Sequence, residues 1–222
     1  MRKAEKILEP VTLEEARIWY GGADPVHDFN HVLRVYRIAE RLAIAEGADL
    51  EIVRVAALLH DSRGSAPGIA GNFRMEHHIT SANFAGSVLT DKGWPEERIT
   101  AVQHCILAHR YRGHEEAPQT IEAKVLFDAD KLDVLGAIGA ARTIAYAAIE
   151  NQPFYSEPSQ QFLQTGEIQP GETHSSYHEF LFKLCHVKDR MFTQSGKALA
   201  KSRHTYLVNF YEQLQAEVRG ER

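Results

Sequence analysis

The stretch LEIVRVAALLHD, residues 50–61, decides the fold. Asp49 before it is a helix N-cap residue type. The run becomes apolar on every side towards its end, which predicts a central helix enclosed by others. It finishes on the pair His60-Asp61. Neighbouring residues on a helix point about 100° apart. Both side chains therefore reach one point only where the helix ends and the backbone turns, which Arg63-Gly64 allows.

Outward from this segment the chain reads as helices. On the N-terminal side, HDFNHVLRVYRIAERLAIAEG (27–47) repeats apolar residues at three and four, and Gly47 ends it. Before that, Thr12 with Glu15 three residues on has the pattern of a capping box. On the C-terminal side, GSAPGIAG (64–71) reads as a loop. Two helices follow it, over 76–93 and 96–110, joined through Gly93-Trp94-Pro95. One long helix is expected over 121–149, and two closing helices over 177–190 and 196–218. Between them, 151–171 carries three prolines and reads as an irregular excursion, either a lid or plain surface. Its Phe154, Tyr155 and Phe162 would be placed to stack on a base. VLF (125–127) is the one short strand candidate, but the glycine and alanine beyond it suit close helix packing. GAIGAAR (136–142) lacks the lysine and the preceding strand of a phosphate loop. The expectation is an all-α protein forming a single domain over 1–222, with a helical-bundle core over about 25–150 and a helical extension over 151–222.

Composition fits this. A chain of 222 residues, 44% hydrophobic and 25% charged, can bury a real core. The formal charge of −5, with no cluster of lysine or arginine, argues against a track for a nucleic-acid polymer. The start, MRKAEKILEP, lacks the apolar core of a signal peptide, and no apolar run approaches the ~20 residues of a membrane span. Cys105 and Cys185 lie far apart without metal spacing and read as reduced thiols of a cytoplasmic protein. The sequence leaves oligomerisation open.

Four residues carry the chemistry: His31, His60, Asp61 and Asp130. Each lies in or beside an apolar helical stretch, where an ionised carboxylate is very costly to bury alone. A divalent cation removes that cost by taking imidazole nitrogen and carboxylate oxygen as ligands. The alternative is a set of buried, hydrogen-bonded polar residues with no metal. His27-Asp28 is a second His-Asp pair, but it follows a turn rather than an apolar helix. Asp130, directly after VLF-Asp-Ala, is expected to point inward near a helix start.

These residues resemble the HD superfamily of metal-dependent phosphohydrolases. The match consists of H-x-x-R-V at 31–35, A-A-L-L-H-D at 56–61 and A-D-K-L-D at 129–133, in order and spacing, over about 25–150. The chain looks most like a small bacterial and archaeal hydrolase branch with H-D-x-x-H near its start. The resemblance implies an all-helical fold and a divalent ion (Mn, Mg, Co, Ni or Fe) held by His31, His60, Asp61 and Asp130. It implies hydrolysis of a small phosphate ester, foremost a nucleotide, by a metal-activated water. Nucleoside triphosphate pyrophosphohydrolysis is one version. A non-catalytic metal- or ligand-binding sensor on the same fold is the other class of function. H-H-I-T-S-A (77–82) resembles the family's H-P-x-x-G-A, and His109 follows Ile106 in an I-x-x-H pattern. His27, His77 and His109 are thus candidates for a second metal or for substrate. Asp61 and His77 are the candidate catalytic groups, and Lys131, Arg63 and Arg34 the candidate phosphate contacts. The other histidines read as ordinary residues. Some nucleotidase members carry an acidic residue after the pair, where this chain has Ser62-Arg63-Gly64-Ser65. The E-D pair of alarmone hydrolases and the G-Y-P signature of cyclic dinucleotide phosphodiesterases are absent.

Overall fold

A computed structural model describes residues 10–21, 28–63, 73–111 and 116–221, with side chains in 73–76 left aside. The described residues are helical and contain no strand. They form two compact units that divide between Asp130 and Lys131, earlier than the expected core limit of about 150.

The first unit holds α1 (Leu13–Trp19), α2 (Phe29–Glu46), α3 (Leu50–Leu59), α4 (Phe73–Asp91), α5 (Glu96–Ala108) and all but the last two residues of α6 (Ile121–Leu132). Helix α3 packs against α1, α2, α4 and α5, the central place expected of an all-round apolar helix. Val53, Ala56, Ala57 and Leu59 have no exposed surface, and the two alanines let neighbouring helices come close. Truncating a leucine here to alanine would cost about 2–5 kcal/mol.

Polar residues fix where these helices begin. Asp49 accepts from the backbone N–H of Glu51 and Ile52 at 3.0 and 3.1 Å, capping α3. The same carboxylate binds both Nη atoms of Arg98 on α5, at 2.9 and 3.2 Å. That hydrogen bonding holds the Asp49 carboxyl below its ordinary value. Glu122 of α6 accepts from the Asp49 N–H at 3.0 Å, so one junction orients α3, α5 and α6 together. Thr12 caps α1 as its sequence suggests, but Glu15 pairs with Lys92 at 2.9 Å. Asp28 caps α2 by accepting from the N–H of Asn30 and His31, which makes it a helix cap. Gly47 ends α2 in the left-handed conformation.

The second unit holds α7 (Gly136–Ile149), α8 (Gln160–Thr165), α9 (Ser176–Phe182), a 3-10 helix (Leu184–Arg190) and α10 (Gln194–Val218). Helix α10 is its spine, against α7 and the 3-10 helix. Phe180 and Tyr211 stack at 4.4 Å between ring centres in its core.

Four expectations change. The long helix over 121–149 is broken between Leu132 and Gly136. No proline marks the break; Gly136 sits at φ 72, and buried Asp133 is held by Arg142 at 2.6 Å. Asp130 accordingly lies in the last turn of α6, not near a helix start. Gly139 does serve close packing, but against its own preceding turn: a Cβ there would meet the Val134 carbonyl oxygen at 2.2 Å. The excursion over 151–171 contains α8, capped by Ser159 and closed by Gly166. Phe162 is buried in that packing, 4.5 Å from the His178 ring, and so is not placed to stack on a base. The first closing helix stops at Phe182 and continues as 3-10 turns.

Candidate functional site

The pair His60-Asp61 stands where α3 stops, with His60 as its C-cap and a turn over 60–63. That turn aims both side chains into a group drawn from four other places in the first unit. His31 comes from the first turn of α2, His77 from α4, His109 from the end of α5 and Asp130 from the end of α6. His31, His60 and His109 are 2%, 0% and 2% exposed, so the imidazoles sit in the core rather than on a solvated face.

Ligand-type atoms of His31, His60 and Asp130 lie within 4.8 Å of one another, and those of Asp61, His77 and His109 form a second such group. The expected quartet is therefore shared between two triads, with Asp61 reaching both. Its Oδ2 lies 3.6 Å from His60 Nε2 and 3.8 Å from His31 Nε2. Its Oδ1 lies 3.0 Å from His77 Nε2 and 3.5 Å from His109 Nε2. Asp130 Oδ1 stands 3.5 Å from His31 Nε2.

Burial alone would raise the Asp61 carboxyl, yet its interactions with His60, and then with His109 and His77, hold it well below the usual range. Burial pushes the His109 imidazole down to about 4, outweighing the pull of Asp61, so the ring is neutral at neutral pH. Tyr20 at the end of α1 donates from its hydroxyl to Leu58 O at 2.9 Å. Its phenol is raised well above 10 by burial and then by the charge of Asp61. No motif in the sequence marks Tyr20 as a neighbour of the pair. The same holds for Arg110, whose Nη1 lies 2.9 Å from His77 Nδ1.

The buried His60 Nε2 has no hydrogen-bond partner. Its Nδ1 faces the Ala57 carbonyl at 2.8 Å and carries a ring hydrogen there, so in the neutral ring Nε2 presents a bare lone pair beside carboxylates. An unsatisfied buried acceptor is costly. This donor set, two or three imidazoles with two carboxylates, suits a divalent cation in both atom type and charge.

The remaining sequence candidates are placed as follows. His27 lies outside the described residues. Arg63 rests its guanidinium 3.6 Å above the Phe84 ring, while its N–H donates to Ser81 Oγ. Arg34 is half-buried one turn beyond His31, and Lys131 is half-buried directly after Asp130. His104 turns elsewhere, pairing with Glu116 and accepting from the Gln119 N–H.

Known proteins resemble this chain along most of its length. The HD domain family model matches residues 28–135, which include every described member of both triads. The YpgQ protein of Bacillus subtilis is 32% identical over 197 residues, covering 87% of this chain and 85% of that protein. The crystal structure of B. subtilis YpgQ in complex with ADP superposes with a TM-score of 0.71 at 28% identity, over 94% of this chain and 99% of that one. An HD-superfamily hydrolase from Bacillus thuringiensis does so with a TM-score of 0.65 at 29% identity, over 93% and 96%. The signature pair, the all-helical frame around it and relatives along nearly the whole chain lead to one assignment: this protein belongs to the HD superfamily.

Proposed function

We propose that the protein is a metal-dependent phosphohydrolase acting on a small phosphate ester, foremost a nucleotide, in the cytoplasm. The observation that carries this is the buried, partnerless Nε2 of His60, set among two carboxylates and three further imidazoles. In this reading His31, His60, Asp61 and Asp130 hold a divalent ion. Such an ion, when bound, activates water and offsets phosphate charge.

The side chains do the rest. Asp61, kept ionised by its histidine neighbours, would help hold the ion and orient the attacking water. His77 and His109 border the same space and serve either a second ion or the phosphoryl group. His27 is kept as a candidate for that role from its sequence alone. Lys131, Arg34 and Arg63 are the proposed source of positive charge for the remaining phosphate oxygens; phosphoryl transfer asks mainly for such positioning and charge. The ADP complex of B. subtilis YpgQ supports a nucleotide di- or triphosphate as the ligand class, with pyrophosphohydrolysis of a nucleoside triphosphate as one version.

The test is a screen of nucleoside mono-, di- and triphosphates with Mg²⁺, Mn²⁺, Co²⁺ and Ni²⁺, alongside an aryl phosphodiester and single-stranded DNA. Turnover of a nucleotide that stops on chelation is expected. Metal-independent turnover, or preference for the DNA, would sink the proposal.

A further inference from the structure

The imidazoles around Asp61 differ in what stands at their second ring nitrogen. His60 Nδ1 lies 2.8 Å from the carbonyl oxygen of Ala57. His109 Nδ1 contacts the carbonyl oxygen of Ile106 in the same way, three residues back along its helix. A carbonyl oxygen only accepts, so in both rings Nδ1 carries a hydrogen, and in the neutral ring Nε2 keeps its lone pair. That is the form in which imidazole binds a cation, its far N–H anchored on a backbone acceptor.

His77 is built the other way round. Its Nδ1 lies 2.9 Å from Nη1 of Arg110. A guanidinium stays protonated and has no lone pair to offer, so here Nδ1 must accept. In the neutral ring the hydrogen then sits on Nε2, the atom 3.0 Å from Asp61 Oδ1. A ring with hydrogens on both nitrogens would set N–H against N–H. The turn that ends α5 supplies both halves of this contrast: His109 in the ligand form, and Arg110 next to it in sequence.

We infer that Arg110 is a positioning residue that locks His77 in the Nε2–H form. His77 thereby serves the site as a hydrogen-bond donor to a phosphoryl oxygen and not as a cation ligand. Asp61, His77 and His109 consequently do not hold an ion of their own, although their atoms lie at ligand-like separations. The phosphoryl acceptor rests on the function proposed above; the tautomer does not.

The decisive measurement is ¹⁵N NMR of the histidine rings in the full, metal-free chain, with His77 assigned by its loss in His77→Gln. The hydrogen is expected on Nε2 in His77 and on Nδ1 in His60 and His109. Arg110→Met should abolish the preference at His77 alone, and Arg110→Lys, which keeps a donor, should retain it. A hydrogen on Nδ1 of His77, or an unchanged pattern in Arg110→Met, overturns the inference. Calorimetric titration with Mn²⁺ alone should give one equivalent in the wild type and in His77→Gln. A second equivalent that disappears in His77→Gln overturns it as well. In turnover, Arg110→Met should lower kcat by about 10- to 100-fold with a smaller change in KM, partly restored in Arg110→Lys. His77 in the Nε2–H form without turnover of any phosphate ester would defeat the phosphohydrolase reading alone. Turnover with the hydrogen on Nδ1 would defeat the tautomer assignment alone.

Discussion

Each unit of the molecule buries a histidine beside a carboxylate, and the two are opposites. In the second unit His178 has no exposed surface, and both ring nitrogens are satisfied. Its Nδ1 meets Ser175 Oγ at 2.8 Å and its Nε2 meets Glu172 Oε1 at 3.2 Å. Glu172 in turn accepts from the N–H and hydroxyl of Ser159 and from the N–H of Gln169. That network closes on itself and ties α8, α9 and the loop between them. In the first unit His60 is just as buried, but its Nε2 has no hydrogen-bond partner and faces carboxylates. Burial of histidine with an acidic neighbour is therefore no mark of a site. What distinguishes His60 is an unsatisfied nitrogen set among other ligand-type atoms, because the cost of leaving it bare in the core is recovered when a cation binds the group.

The sharpest way to break this comparison is Asp61→Ala. It removes the carboxylate that reaches both triads, so metal-dependent hydrolysis should fall to background while far-UV circular dichroism stays nearly unchanged. Residual turnover near the wild-type rate would show that the first cluster is as structural as the second.

Next in size is the effect of an ion on melting. Mn²⁺ at about 100-fold over its dissociation constant should raise the melting temperature of the wild type by about 5–10 °C. His60→Ala should lose that rise. His178→Ala should start from a lower temperature, since it opens a closed network, yet keep the Mn²⁺ increment. Loss of the increment in both variants would erase the distinction between the units.

Acid should separate them further. Hydrogen bonds from the N–H of Gln169 and Ser159 hold the Glu172 carboxyl down to about 2, below its ordinary value of 4.5. A depressed folded value means that this group stabilises the fold above pH 4.5 and ceases to do so as pH falls towards 2. The melting temperature of Glu172→Gln should consequently vary less with pH across that window than that of the wild type. Parallel curves would contradict the role given to Glu172.

The smallest effect is expected at Phe154, which is 52% exposed and is the aromatic of 151–171 left open to solvent where Phe162 is buried. Phe154→Ala should change stability by no more than about 0.5 kcal/mol. If this residue stacks on a base, KM for a nucleotide rises and KM for an aryl phosphate does not. Removing 153–168 whole would be a poorer test, because it takes buried Phe162 and the Ser159 cap with it.

Much of this was legible in residue order. Helix periodicity located α2, α3, α5 and α10 because each buries a broad apolar face or ends on a recognisable signal such as Asp49 or Gly47. The break after α6 was not legible, since KLDVLGA has no proline and a lone glycine is tolerated inside a helix. Arg142 reaching Asp133, and Gly136 adopting a positive φ, decide it. The aromatics of 151–171 read alike in the sequence, and only packing separates buried Phe162 from exposed Phe154.

The sequence by itself determined an all-α chain of the HD superfamily and drew attention to His31, His60, Asp61, Asp130, His77 and His109. Residue type, spacing and hydrophobic period are local properties, readable without coordinates. Tertiary structure decided how those six are grouped, that Asp61 reaches both triads, and that Tyr20 and Arg110 stand beside them. Those contacts join residues far apart in the chain, and no local pattern encodes which nitrogen of an imidazole will face a carbonyl and which an arginine.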